Sequence, residues 1–355
     1  MLGELRLPEI PPPEERARAE AAAHHGRLTK PAGALGRLED LAIWAAGVRR
    51  HPRPKVERSV IVLAAADHGV ATRGVSAYPS DVTAQMLANF IAGGAAVNVL
   101  ASHAGAEVHV VDAGVRNSAL DAAAHVAKVR EGSDDMALGP AMSRDEAAAL
   151  VERGIACALE HCAAADAVGL GDMGIGNTTA AAALTSALTG AAPAQTVGRG
   201  TGIDDARYAL KLGAVRDALA LHAPSGADPL GALACVGGCE IAFLAGVAIG
   251  SAAASLPVVL DGYPTTAAAL VATALSPGVA DYLLAGHVSA EPGHRIALAQ
   301  LGLEPLLDLR MRLGEGTGAA LALSLLRAAL RIPHEMATFA SAGVSTAAAE
   351  LRPES

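Results

Sequence analysis

Short apolar runs alternate along the chain with long alanine-rich segments of a different period. The runs "SVIVLAAA" (59–66), "EVHVVDA" (107–113), "AVGLGD" (167–172), "PVVLDG" (257–262) and "YLLAGHVS" (282–289) carry little polar alternation. Strands of that kind are covered on both faces, as in a parallel sheet. Each run leads into small residues and then helical text, and strand–helix alternation predicts a doubly wound α/β fold. The first fifty residues are helical and punctuated by proline, the last forty are helical too, and neither carries an obvious strand. They are expected to pair as a small helical lobe (1–50 plus 330–355) beside a large α/β domain (51–329) that would carry any catalysis.

In doubly wound folds ligands collect beyond the C-terminal ends of the strands. Here those ends read Asp67-His68-Gly69, Asp112-Ala113-Gly114, Gly171-Asp172, Asp261-Gly262 and His287-Val288-Ser289. One such end is ordinary turn chemistry; five together predict a rim rich in hydrogen-bonding groups.

Composition narrows the partners. A net charge of −9 argues against nucleic acid, so an anionic ligand must be captured by local positive features. Cys157, Cys162, Cys235 and Cys239 sit in alanine-rich text at spacings that match no common zinc pattern. They are expected to be buried, reduced thiols of a cytoplasmic protein. The histidines form no H-E-x-x-H pair and no H-x-H ladder, so spacing predicts no metal site. No signal peptide is visible at the N-terminus. Residues 231–260 are long and apolar enough to be weighed as a membrane span. Their Ala/Gly content and Ser251, Ser255 and Pro257 favour a buried helix and strand, and no span is expected.

Four stretches carry chemistry. "GLGDMGIGNTTAAAALT" (169–185) follows a predicted strand and opens a helix, yet no lysine follows its glycines as a triphosphate loop requires. Gly174 and Gly176 allow a tight turn whose N–H groups point outward, and Thr178 and Thr179 can cap the helix. That makes either an anion site without a cation of its own or a turn that only packs helix on strand. "VGRGTGIDD" (197–205) is a second glycine turn, and Lys211 follows it as either the missing cation or a surface residue. In "MRLGEGTGAALALSLLRAAL" (311–330), Glu315 stands between Gly314 and Gly316 before an apolar helix. Partial desolvation there would raise its pKa toward general-base values; an ordinary first-turn acid is the alternative. Tyr78, Pro79 and Met86 in "YPSDVTAQM" offer either a wall for a flat apolar ligand or plain core packing.

Nine blocks in order, "KPAGALGRLEDLA", "ADHGV", "YPSDVTAQM", "GDMGIGNTTAAAAL", "GRGTGIDD", "VLDGYPTTAAAL", "AGHVSAEPGH", "LGLEPLLDLRMRLGEGTGAALAL" and "MATFASAGVS", cover the chain from about Lys30 to Ser345. Together they resemble the nicotinate-nucleotide:dimethylbenzimidazole phosphoribosyltransferase family. The resemblance implies a Rossmann-like parallel sheet flanked by helices, a small lobe formed by both termini, a homodimer and no cofactor. It implies transfer of phosphoribose from nicotinate mononucleotide to dimethylbenzimidazole, giving α-ribazole phosphate and nicotinate in cobalamin synthesis. The alternatives are another ribosyl transferase acting on a pyridine or purine nucleotide, or a non-catalytic nucleotide-binding protein.

The family's catalytic base falls on Glu315. Asp172, Gly174, Ile175, Gly176, Asn177, Thr178, Thr179, Gly200, Thr201, Gly202 and Lys211 would hold phosphate and ribose, while Tyr78, Pro79, Met86, Leu313 and Gly314 would border the base. Tyr78 and Met86 stand where some relatives carry polar residues, and Asp172 where many carry glutamate. The apolar helix at 235–255 is the candidate dimer surface.

Overall fold

The computed structural model describes residues 5–116, 125–200 and 202–345. Its centre is a parallel six-stranded sheet in the order β3-β2-β1-β4-β5-β6. The strands are β1 Ser59–Ala66, β2 Ala106–Gly114, β3 His125–Val126, β4 Ala167–Met173, β5 Val258–Leu260 and β6 Leu283–Ala285. All eight residues of β1 are buried, which accounts for the missing polar alternation. The apolar runs mark five of the six strands. The sixth, β3, is two residues long and leaves no periodic signal. The last two strands are shorter than their apolar runs. Pro257 has no N–H to donate and precedes β5, accepting a bond from Val168 through its carbonyl instead. His287–Ser289 leave the sheet after β6 and pair with Leu307.

Because β2 and β4 flank β1 on opposite sides, the chain reverses direction across the sheet between β3 and β4. That reversal opens a crevice at the C-terminal ends of β1 and β4, where doubly wound sheets bind ligands.

The stretch weighed as a membrane span is divided among helices Pro229–Val236 and Cys239–Ala253 and strand β5. Every residue from Cys239 to Ala252 is buried. Gly154 and Gly246 let this helix touch helix Arg144–His161 backbone to backbone, since a Cβ on either would lie 2.0 Å from the other helix's carbonyl oxygen. That burial removes it as a dimer surface: its apolar residues are already spent inside the chain. Among the described residues one stretch, Val82–Ala104, is long and apolar enough to cross a membrane. It is broken into helices Val82–Ile91 and Ala96–Ala104 by left-handed Gly93.

The described chain divides into two compact units. The larger takes residues up to Pro12 and Glu57–Ser324, the smaller Pro13–Val56 and the residues from Leu325 on. In the smaller, helices Glu15–His25 and Arg37–Val48 are joined by a segment that bridges Leu28 to Thr338. A buried Lys30–Glu39 ion pair of 2.6 Å lies in the same unit. Residues 5–12 go with the sheet, where the Tyr282 hydroxyl donates to the Pro11 carbonyl.

Candidate active site

Two glycine-built turns meet at the end of β4. In the first, Gly174 passes so close to the end of β1 that a Cβ would lie 2.5 Å from the Ala66 carbonyl oxygen. Gly176, with φ +98°, is the N-cap of helix Asn177–Thr189. The Ile175 N–H is held by the Thr83 hydroxyl, and the Asn177 amide donates to Asp172 Oδ2 at 2.8 Å. The Asn177 and Thr179 N–H groups close the turn onto the Gly174 and Gly176 carbonyls, and the positive dipole end of the helix borders the crevice.

The second turn is Gly314-Glu315-Gly316, with φ of +83°, +65° and +87°. Three consecutive left-handed residues explain the two glycines; Glu315, which has a Cβ, bears backbone strain of about 1–3 kcal/mol. The turn is clamped from several sides. Asp261, just beyond β5, accepts from the N–H groups of Gly316 (3.1 Å), Gly318 (2.6 Å) and Ala319 (3.2 Å), which anchors the start of helix Thr317–Glu335. A Cβ on Gly318 would strike the His287 ring at 2.0 Å, and one on Gly171 would lie 2.8 Å from the Glu315 carbonyl oxygen. The Glu315 N–H donates to the Asp172 carbonyl at 3.3 Å. The glycines of "LGEGTG" thus serve close approach as well as positive φ.

Between the turns lies a cavity of about 360 Å³. Glu315 lines it at 7 % exposure, with Oε2 free of any hydrogen-bond partner. Burial, and then the nearby Asp261 carboxylate, push its carboxyl up to about 7. Asp172 also lines the cavity; burial, Asp261 and Glu240 raise its carboxyl well above the usual range, favouring the protonated form. Burial also raises the Asp261 carboxyl, while His287 and the three N–H donors oppose the shift. Below this floor, His68 Nε2 meets Glu240 Oε1 at 2.8 Å in a fully buried pair.

The crevice brings together most of the residues expected from sequence. Gly174, Ile175, Gly176, Asn177, Thr178 and Gly200 line one part of the cavity, and Tyr78, Met86, Leu313 and Gly314 another. Pro79, Thr179, Gly202 and Lys211 do not line it, and Thr201 lies outside the described residues. Lys211 is buried behind the loop, where its Nζ donates to Thr178 Oγ1 (2.9 Å) and the Gly198 carbonyl (3.0 Å). Burial lowers its ammonium to about 8 despite Glu291 at 4.0 Å.

The cation on the cavity wall is instead Arg312, whose Nη1 is 3.4 Å from the Gly200 carbonyl. Glu291 also lines the cavity, and its Oε1 accepts from the Gly200 N–H at 2.8 Å. Sequence reasoning passed over both, although Arg312 directly precedes the Leu313–Gly316 turn and Glu291 lies in "AGHVSAEPGH".

Strand order, glycine turn and buried carboxylate define an α/β protein with a ligand-sized crevice at the switch point of its sheet. Within that class the chain belongs to a phosphoribosyltransferase family, whose model matches residues 10–344. It is 51% identical over 341 residues to the nicotinate-nucleotide–dimethylbenzimidazole phosphoribosyltransferase of Chloroflexus aggregans, covering 95% of this chain and 96% of that one. The Mycobacterium tuberculosis protein of the same name is 53% identical over 336 residues, covering 94% and 93%. Among solved structures, CobT from Thermus thermophilus superposes with a TM-score of 0.90 at 49% identity, covering 94% of this chain and 100% of that chain.

Proposed function

We propose that this protein transfers the 5-phosphoribosyl group from nicotinate mononucleotide to dimethylbenzimidazole, giving α-ribazole 5′-phosphate and nicotinate for the nucleotide loop of cobalamin. Membership of the family supports the reaction class, and the names of its relatives support the substrates. The observation that carries the mechanism is Glu315: a buried carboxylate with an unpartnered oxygen and a pKa of about 7, beside a cavity large enough for the reacting groups.

The chemistry needs only one such group. The bond between the anomeric carbon and the pyridine nitrogen of nicotinate breaks, and its electron pair neutralises a ring nitrogen that was formally positive. No general acid is required. The incoming benzimidazole attacks with one nitrogen and must lose the proton from the other. Glu315 accepts that proton, and its pKa near neutrality suits a base that must be ionised yet basic. Entry on the face opposite the leaving group converts the β-nucleotide to the α-riboside.

In this reading the Gly174–Thr178 turn, Arg312 and Gly200 receive the 5′-phosphate. Lys211 acts through Thr178, which it positions. Asp172, whose carboxyl burial and the nearby Asp261 and Glu240 raise, stands beside the turn within reach of a ribose oxygen. Tyr78, Val82, Met86 and Leu313 give the flat base an apolar wall. The reading includes a homodimer working in the cytoplasm, where the four free thiols stay reduced.

The test is incubation of purified protein with both substrates, without added metal, and detection of α-ribazole phosphate by mass and anomeric NMR. Appearance of the α-riboside supports the proposal. Turnover only with other pyridine or purine nucleotides would replace it with a different ribosyl transfer. Nucleotide binding without any turnover would make the chain a binding protein.

A further inference from the structure

Three histidines far apart in sequence converge at the edge of the sheet, and none of them lines the cavity. His109 stands on β2, His125 begins β3, and His161 is the last residue of helix Arg144–His161. One ring nitrogen from each can be chosen so that all three lie within 4.8 Å of one another. The rings crowd together. His161 stacks on His109 with centroids 4.8 Å apart and meets His125 edge-on at 4.8 Å, and His109 and His125 are 5.6 Å apart. Nε2 of His109 is buried and has no hydrogen-bond partner. An orphaned buried polar atom is costly, so a group that satisfies it stabilises the site.

We propose that His109, His125 and His161 form a three-imidazole site for a divalent transition metal such as zinc, clamping β2, β3 and the end of helix Arg144–His161 together. Imidazole nitrogens suit zinc, copper and nickel, whereas calcium and magnesium want oxygen ligands. Three histidines with a water in the fourth position make a tetrahedral zinc site. With zinc–nitrogen bonds of about 2.0–2.1 Å, the ligand nitrogens stand about 3.3 Å apart. From a 4.8 Å spread the rings need to close by about 1.5 Å. The local structure permits it, because His161 is exposed at a helix end and His125 starts a two-residue strand. The helix C-terminus also presents its unsatisfied carbonyls and negative dipole end, which favours a cation there.

The test uses the full-length, untagged protein, stripped with a chelator, dialysed and titrated with zinc. Metal content is read by elemental analysis, and a parallel cobalt(II) titration is followed by its visible spectrum. The expected result is one zinc per chain, intense tetrahedral cobalt bands, and a Tm that rises with zinc. His161→Ala, an exposed and structurally mild change, should lower zinc affinity tenfold or more and abolish the Tm rise, while phosphoribosyl transfer proceeds at the original rate. His125→Ala should do the same, and His24→Ala, in the other unit, should leave zinc binding intact. Substoichiometric zinc in the original protein, or unchanged affinity in His161→Ala and His125→Ala, would overturn the proposal.

Discussion

The two turns that meet at the end of β4 are both made of glycine, yet they do opposite things. In Gly174–Asn177 the small residues bring a helix N-terminus to the crevice, and Asp172 beside it is engaged by the Asn177 amide. In Gly314–Gly316 the neighbouring N–H groups are consumed by Asp261, and the side chain between the glycines is held in a left-handed conformation with one oxygen unpartnered. The first turn offers the positive end of a helix dipole, the kind of feature that favours an anion. The second is strained and desolvated, which keeps a carboxylate reactive.

The largest effect is expected of Glu315→Gln. Transfer should fall by about 10²–10⁴-fold while nucleotide affinity stays within a few-fold; calorimetric titration with nicotinate mononucleotide separates the two. Full activity would remove Glu315 from the base role. Next comes Lys211→Ala, which leaves Thr178 without its charged donor. That should raise KM for the nucleotide by about 10–100-fold, the equivalent of a charged hydrogen bond, with kcat less affected. An unchanged KM would separate Lys211 from the phosphate turn.

A third effect has the opposite sign. Glu315 rises from 4.5 to about 7 on folding, so the native state keeps a proton that the unfolded chain releases. Stability therefore falls as pH rises from about 4.5 to 7, with an upper bound of about 3 kcal/mol. Glu315→Gln should be the more stable protein at pH 8 and lose that advantage at pH 4. Thermal unfolding at the two pH values checks it. The smallest change is at the base wall: Met86→Ala should raise KM for dimethylbenzimidazole by about tenfold through lost apolar contact, leaving KM for the nucleotide alone.

How much of this was legible in the sequence depends on how local each signal is. β1, buried throughout, and β4, buried up to Asp172, read as runs without polar alternation, and both glycine turns were visible as motifs. Glu315 could be singled out because its glycines flank it directly. Lys211 could be linked to the phosphate turn but not placed, because whether its ammonium reaches the cavity or stops at Thr178 depends on how helix Asp205–His222 packs. Glu291 and Arg312 acquire a role only when Gly200, about a hundred residues earlier, arrives between them. The His109, His125 and His161 cluster is invisible for the same reason, with separations far beyond any local ligand pattern. Spacing reads turns and helix faces; it does not read which strand ends become neighbours.

In the proposed mechanism Glu315 takes the benzimidazole proton. The most direct test is the pH dependence of kcat/KM for dimethylbenzimidazole, corrected for the separately measured titration of that base. A base must be ionised to act, so the profile should rise about tenfold per pH unit in acid and level off above an apparent pKa of about 7. A profile that is flat between pH 5 and 8, or that falls through this range, would contradict it.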